Sequence, residues 1–289
     1  HNPHAAYGDA PLVSFDPSSP ASPGRSQAPM VNGSLAGVTG LNVAGQFVQE
    51  AEYEYEICFK CHGVPGKASC ENNRCSSASS YAMTRQDRTY NLREKFDPSS
   101  SVVSSYHPVV ENNPNNNSEV PSLRLTIPLE RMGSQIYCSD CHSGDSSPAA
   151  GGNGPGGAHG SRHEGLLALN YEFNPARFNS LRSGAMCFKC HDSFNLFTDV
   201  SFPHRQHVLN GDTSCIACHD PHGSAVYPHL INFLTSANVK GDTFTITGVD
   251  GKGDPVWQDG GLYSGTCYLN CHGVVHDGLG YGTAAPLIP

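Results

Sequence analysis

Hydrophobic residues come in short bursts along this chain, separated by Gly, Pro, Ser and Asn, so long regular elements are not expected. Phe47–Cys61 reads as helical, with Glu50, Glu52, Glu54 and Glu56 on its polar side. Further short helices are expected over Gly165–Tyr171 and just before Cys187. Ser122–Ile127 alternates as a short strand, and Asp242–Thr247 followed by Asp250-Gly251 reads as a hairpin arm. Asn112–Asn117 and Gly151–Gly157 have the composition of loops. Residues 1–46 are rich in Pro, Gly, Ser and Asn and read as an extended N-terminal arm, leaving 47–289 as the main domain.

Composition sharpens this picture. Apolar residues make up 37% of the 289, while Gly and Pro number 31 and 21, a poor stock from which to build a conventional core. No segment has the length and apolarity of a membrane span. Something other than side chains must therefore supply much of the interior.

Five cysteine pairs that each run into a histidine say what it is. They are Cys58/Cys61-His62, Cys138/Cys141-His142, Cys187/Cys190-His191, Cys215/Cys218-His219 and Cys267/Cys271-His272. The first four are C-x-x-C-H, the attachment signature of c-type haem, and the fifth carries one extra spacer residue. Two thiols form thioethers with the haem vinyl groups, and the next residue offers an imidazole to the iron. Zinc ribbons and thiol oxidoreductases also use C-x-x-C, but neither requires His after every pair. With 15 His in 289 residues, five such coincidences have a chance on the order of 10⁻⁷. The expected cofactors are five covalently attached haem c groups. The fold class that follows is mostly irregular coil, with short helices and a few short β-hairpins wrapped around a stacked haem chain. Folding should depend on the haem, as it does on metal in small metallodomains.

Removing the five motif histidines leaves ten, and this surplus points to a second axial ligand on each iron. Iron with two His ligands has no open position for a substrate and transfers electrons instead. His222 follows His219 too closely to reach around the same porphyrin, so it should ligate a neighbouring haem, and His276 stands in the same relation to His272. His207 is preferred over His204 in the segment before the fourth motif, and His107 and His159 complete the distal set. His163 and His229 are weaker candidates. Each of these histidines would, in an ordinary protein, be read as solvated or hydrogen-bonded.

The segments Glu54–Gly63, Cys138–His142, His159-Gly160-Ser161 and Cys215–Ser224 resemble the multihaem c-type cytochromes, and among them the extracellular cytochromes of metal-reducing microbes that polymerise into haem-lined filaments. The likeness covers roughly residues 47–276. It implies bis-His haems, electron transfer between close porphyrins, and a His of one subunit on a haem of the next. His1 and His4, at the tip of the arm, are intersubunit candidates, set against a frayed terminus with idle histidines; His222 is another. The implied partners are further copies of the chain in a head-to-tail polymer, other multihaem cytochromes as donors, and an extracellular acceptor such as a mineral, cell or electrode.

Haem c is attached outside the cytoplasm, so an exported, extracellular or cell-surface protein is expected, with His1 following a removed signal segment. In that oxidising setting Cys70 and Cys75 read as a short disulfide, the alternative being two free thiols. The net charge of −9, made more negative by haem propionates, argues against nucleic acid as a partner. A multihaem reductase is the rival of a different class. It would want an open iron flanked by cations, yet no Cys-x-x-Cys-Lys occurs and the 17 Lys and Arg are spread out. A five-coordinate haem at the fifth motif is the form that rival would take. A monomeric periplasmic or surface shuttle shares all the chemistry of the electron conduit and differs only in assembly.

Overall fold

The glutamates that suggested one long amphipathic helix instead terminate a short one. In the computed structural model, which describes residues 37–63, 84–85, 91–99, 104–111, 135–174, 177–198, 202–239, 242–261, 264–271 and 273–282, strands β1 (Gly40–Leu41) and β2 (Phe47–Val48) pair antiparallel. Helix α1 (Glu54–His62) begins only six residues later. Glu56 turns back to accept from the Glu52 and Tyr53 backbone N–H groups at 2.8 and 3.1 Å, which caps the helix. Glu54 is buried and accepts from the Ser139 N–H and hydroxyl at 3.0 and 2.8 Å. The expected helical start at Phe47 is thus corrected, and Glu54 and Glu56 lie inside rather than on a solvated face. Leu41, within the expected arm, is fully buried against α1.

Strand β3 (Thr84–Arg85) and helices α2 (Leu92–Lys95) and α3 (Cys138–Cys141) follow. The stretch 165–171 is no helix. A 3₁₀ turn at Glu164–Leu166, with Gly165 at φ +69°, leads into extended chain, where Ala168 N–H bonds to Cys141 O at 2.7 Å. Pairing with the second motif overrides local helical preference. A 3₁₀ turn at Leu181–Gly184 and helix α4 (Ala185–Phe188) do lead into Cys187, as expected. Helices α5 (Ser193–Thr198), α6 (His204–Val208) and α7 (Cys215–Cys218) complete the helical set. No helix among the described residues is long and apolar enough to cross a membrane.

The C-terminal part is β-rich. Strand β4 (Leu234–Val239) pairs with β3 and with β5 (Asp242–Phe244). Strand β6 (Ile246–Thr247) joins a separate sheet with β7 (Val256–Asp259), β8 (Gly265–Cys271) and β9 (Val274–Tyr281). The expected arm over Asp242–Thr247 is therefore split between two sheets, and its turn closes at 248–253 through a Gly248 N–H to Gly253 O bond of 3.1 Å.

Among the described residues small apolar clusters replace a single core; motif cysteines pack into the three larger ones, and a fourth joins only Ala51, Ile57 and Val38. Leu41, Tyr55, Phe59, Phe96, Tyr106 and Val109 receive Cys138. Tyr171, Phe178, Met186, Phe197 and Ile216 gather Cys141, Cys187 and Cys215. Ala217, Phe233, Leu234, Ile246, Trp257 and Leu269 gather Cys218, Cys267 and Cys271. The expected strand at Ser122–Ile127, the loop at Asn112–Asn117, and His1, His4, Cys70, Cys75 and His272 lie outside the described residues.

Candidate functional site

The four C-x-x-C-H motifs each form one helical turn. Cys58 and Cys61 ride the end of α1, Cys138 and Cys141 bound α3, Cys187 and Cys190 continue α4, and Cys215 and Cys218 bound α7. In three of them the His N–H bonds to the carbonyl of the first Cys: His142 to Cys138 at 2.9 Å, His191 to Cys187 at 3.0 Å, His219 to Cys215 at 2.9 Å. A helical i, i+3 spacing puts both thiols on one face, and the turn then delivers the imidazole beside them.

Consecutive motifs abut. The Cys58 and Cys138 thiols hydrogen-bond, as do those of Cys187 and Cys215, while Cys141 lies within electrostatic reach of Cys190. The hydrogen bond to the neighbouring thiol, and after it burial, raises the Cys138 and Cys187 thiols well above the ordinary range, and burial pushes Cys141 to about 12. Glu54, Cys58 and Cys138 form the one cluster of three possible metal donors within 4.8 Å among the described residues. It sits where two motifs meet, and its carboxylate is already held by Ser139.

Histidines far apart in sequence meet in pairs. Ring centroids are 6.2 Å apart for His62–His159, 6.0 Å for His142–His222, 6.4 Å for His107–His191 and 6.1 Å for His207–His276. Two imidazoles bound end-on to one metal at about 2.0–2.1 Å, each nitrogen ~1.1 Å from its centroid, stand roughly 6.2 Å apart. Rotation about the nitrogen–metal axis does not alter that distance, so interplanar angles from 7° to 57° all fit. His222 faces His142 of the second motif rather than His219, and His107 faces His191 of the third. His204 sets its ring edge-on to Phe202, at 4.6 Å.

Backbone carbonyls fix the ring orientations. Nδ1 of His142 donates to Gly165 O at 2.9 Å, His107 to Pro221 O at 2.7 Å, His207 to Pro203 O at 3.0 Å and His219 to His229 O at 2.9 Å. A carbonyl can only accept, so the proton is on Nδ1 and the Nε2 lone pair is left to point outward, the arrangement a metal-binding imidazole needs.

Burial favours the neutral form of six of the histidines. His191 is lowered to about 4 by burial, then by His107 and His219. His222 is lowered to about 4 by burial, which outweighs the opposing pull of Asp220; His142, Lys95 and His107 add to the lowering. His62, His142, His107 and His276 are lowered in the same direction, burial being the largest cause in each. The interactions of His142 with His62 and His159, of His222 with His107, and of His191 with His219 run the first four motifs together into one ladder.

Two residues that motif reading passed over support this ladder. Asp220, between His219 and His222, is buried and ion-paired to Lys95 at 2.6 Å. Its other oxygen accepts from the His222 N–H at 3.0 Å and lies 3.7 Å from His222 Nδ1. The signal was in plain view as Cys-His-Asp-Pro-His, but the cation it meets comes from 125 positions upstream. Comparison with protein-family models, curated proteins and solved structures returns no match.

Proposed function

We propose that this chain is a pentahaem c-type cytochrome that conducts electrons from haem to haem outside the cell, assembled head to tail into a filament. The observation that carries the reading is the set of four imidazole pairs spaced 6.0–6.4 Å apart, three of which join a motif histidine to a remote one. When bound, the haem groups supply one-electron chemistry at iron.

The chain's own residues do the rest. Cysteines of successive helical turns hold the attachment points close enough to form a continuous row. The paired imidazoles of His62 and His159, His142 and His222, and His191 and His107 would hold the irons and leave no position for a substrate, which would favour transfer over catalysis. Carbonyls on Nδ1 fix each ring and raise its donor strength, and the Asp220 carboxylate adds negative charge beside His222. The aromatic and aliphatic clusters around the cysteines exclude water, lowering the cost of rearrangement when charge moves.

For assembly, the supporting observations are the resemblance and the outer strand of the C-terminal sheet. Strand β9 pairs only with β8 among the described residues and leaves Val274 and Val275 more than half exposed. Such an edge suits a second copy of the chain. Electron microscopy of the purified protein tests this part: regular thin filaments are expected, and only discrete small particles would leave a monomeric shuttle. Redox titration by visible absorption tests the electron-transfer part. The expected outcome is reversible haem transitions with no ligand-binding shift on adding cyanide.

A further inference from the structure

We propose that His207 and His276 form a separate, non-haem metal site that takes one soft monovalent ion, cuprous copper, in line between two imidazoles. The inference goes beyond the haem reading above and uses it only to set aside His62–His159, His142–His222 and His107–His191, the pairs that include a motif histidine.

His207 stands on α6 and His276 on β9, and neither directly follows a cysteine pair. Their ring centroids are 6.1 Å apart at an interplanar angle of 34°. That spacing selects a coordination geometry. With each centroid about 3.1 Å from a shared ion, it corresponds to an angle at the metal of roughly 160°. Tetrahedral zinc would draw the centroids in to about 5.1 Å, and adjacent corners of a square to about 4.4 Å. Nearly linear coordination by two donors suits a closed-shell monovalent ion, and imidazole is a copper ligand.

The nitrogens of the two rings point the same way. His207 Nδ1 donates to the Pro203 carbonyl at 3.0 Å, which leaves Nε2 as the donor to a metal. Nδ1 of His276 is buried and makes no hydrogen bond of ordinary geometry, the Val274 backbone being the least of the influences on that ring. A buried polar nitrogen left in that state is costly, and a bound ion removes the cost. Phe202 stacks on the His207 ring at 5.0 Å and meets Tyr281 of β9 edge-on at 4.7 Å, so aromatic rings stand beside the site. Apolar walls favour a single positive charge over a double one, because less charge is taken out of water. An ion held there would tie α6 to the C-terminal sheet and stabilise the fold by mass action.

The test uses the full haem-loaded chain with Cys70→Ser/Cys75→Ser, which removes the soft donors outside the haem motifs. Anaerobic titration with cuprous ion against a competing chelator should load one ion at this site, with the X-ray absorption edge of a two-coordinate copper. His207→Ala and His276→Ala should each weaken that binding by more than about 100-fold, the upper cost of losing a mere supporting contact, with the haem spectrum unchanged as a control on folding. Equimolar zinc should not displace the copper. Failure of the parent chain to take up copper, uptake as tight in either variant, or displacement by zinc would overturn the site. A haem signal altered in either variant would show that an iron holds the pair, and would overturn it too. A chain with the mass of bare polypeptide would sink the haem reading while leaving the copper result standing, so the two failures are distinct.

Discussion

Replacing Asp220 by Asn removes the carboxylate that faces a buried cation. Lys95 and Asp220 are both buried, with Nζ and Oδ2 2.6 Å apart. The Gly223 carbonyl also lies 3.4 Å from Lys95 Nζ. Breaking one side of a buried pair costs about 3–5 kcal/mol, because the remaining charge loses its counter-charge but stays out of water. Asn can keep the bond from the His222 N–H through its amide oxygen, so the loss falls on Lys95 and on the Asn232 amide, which donates to the same oxygen at 3.2 Å. Lys95→Met/Asp220→Asn removes both charges and should recover most of that cost, since paired removal with apolar filling is often near neutral. Urea denaturation of the two single variants and the double variant, followed by Trp257 fluorescence, measures the coupling. Two destabilised single variants with a near-wild-type double are expected. A double variant as unstable as the sum of the singles would refute the reasoning. Asp220→Asn should also raise the potential of the iron served by His222, since a negative charge 3.7 Å from its Nδ1 is lost.

Three further outcomes follow from the same structure. His159→Ala should open the iron served by His62, so that one haem binds carbon monoxide in the reduced protein where the wild type binds none. Acid should destabilise the fold. With no iron on them, His191 and His222 take protons at about 4 in the folded chain but at 6.5 when unfolded, and iron on the same rings would exclude protons further, so the unfolded chain binds more protons between these values. Stability is full above pH 6.5 and is lost as pH falls toward 4, visible as a falling urea midpoint; a flat midpoint across that window would contradict it. Gly223→Ala should cost about 1–3 kcal/mol in the same assay, because a Cβ at φ +139° would stand 2.8 Å from Ser105 O.

The helical turns at the first four cysteine pairs are local features: two thiols and an imidazole within five residues carry their own geometry. Pairing was not legible in the sequence, because it depends on remote backbone. His107 is aimed by the carbonyl of Pro221, 114 positions away, and nothing in the sequence around either residue encodes that contact. The helix expected from Phe47 failed for a related reason. Alternating glutamates look like a polar face, but Glu54 was destined for Ser139 and Glu56 for its own helix cap. Periodicity over Asp242–Thr247 correctly signalled strand while saying nothing of partners, and two sheets divided it. The strand conformation of Cys267–Cys271 is the sharpest case. A single extra spacer residue separates this motif from four that form helical turns, and its β-rich surroundings decide the outcome.

The most direct measurement is the intact mass of the purified protein, combined with low-temperature electron paramagnetic resonance. The account predicts a chain bearing five haem groups, ten cysteines consumed and only low-spin bis-His iron. A mass equal to the bare polypeptide, or a dominant high-spin signal, would contradict it.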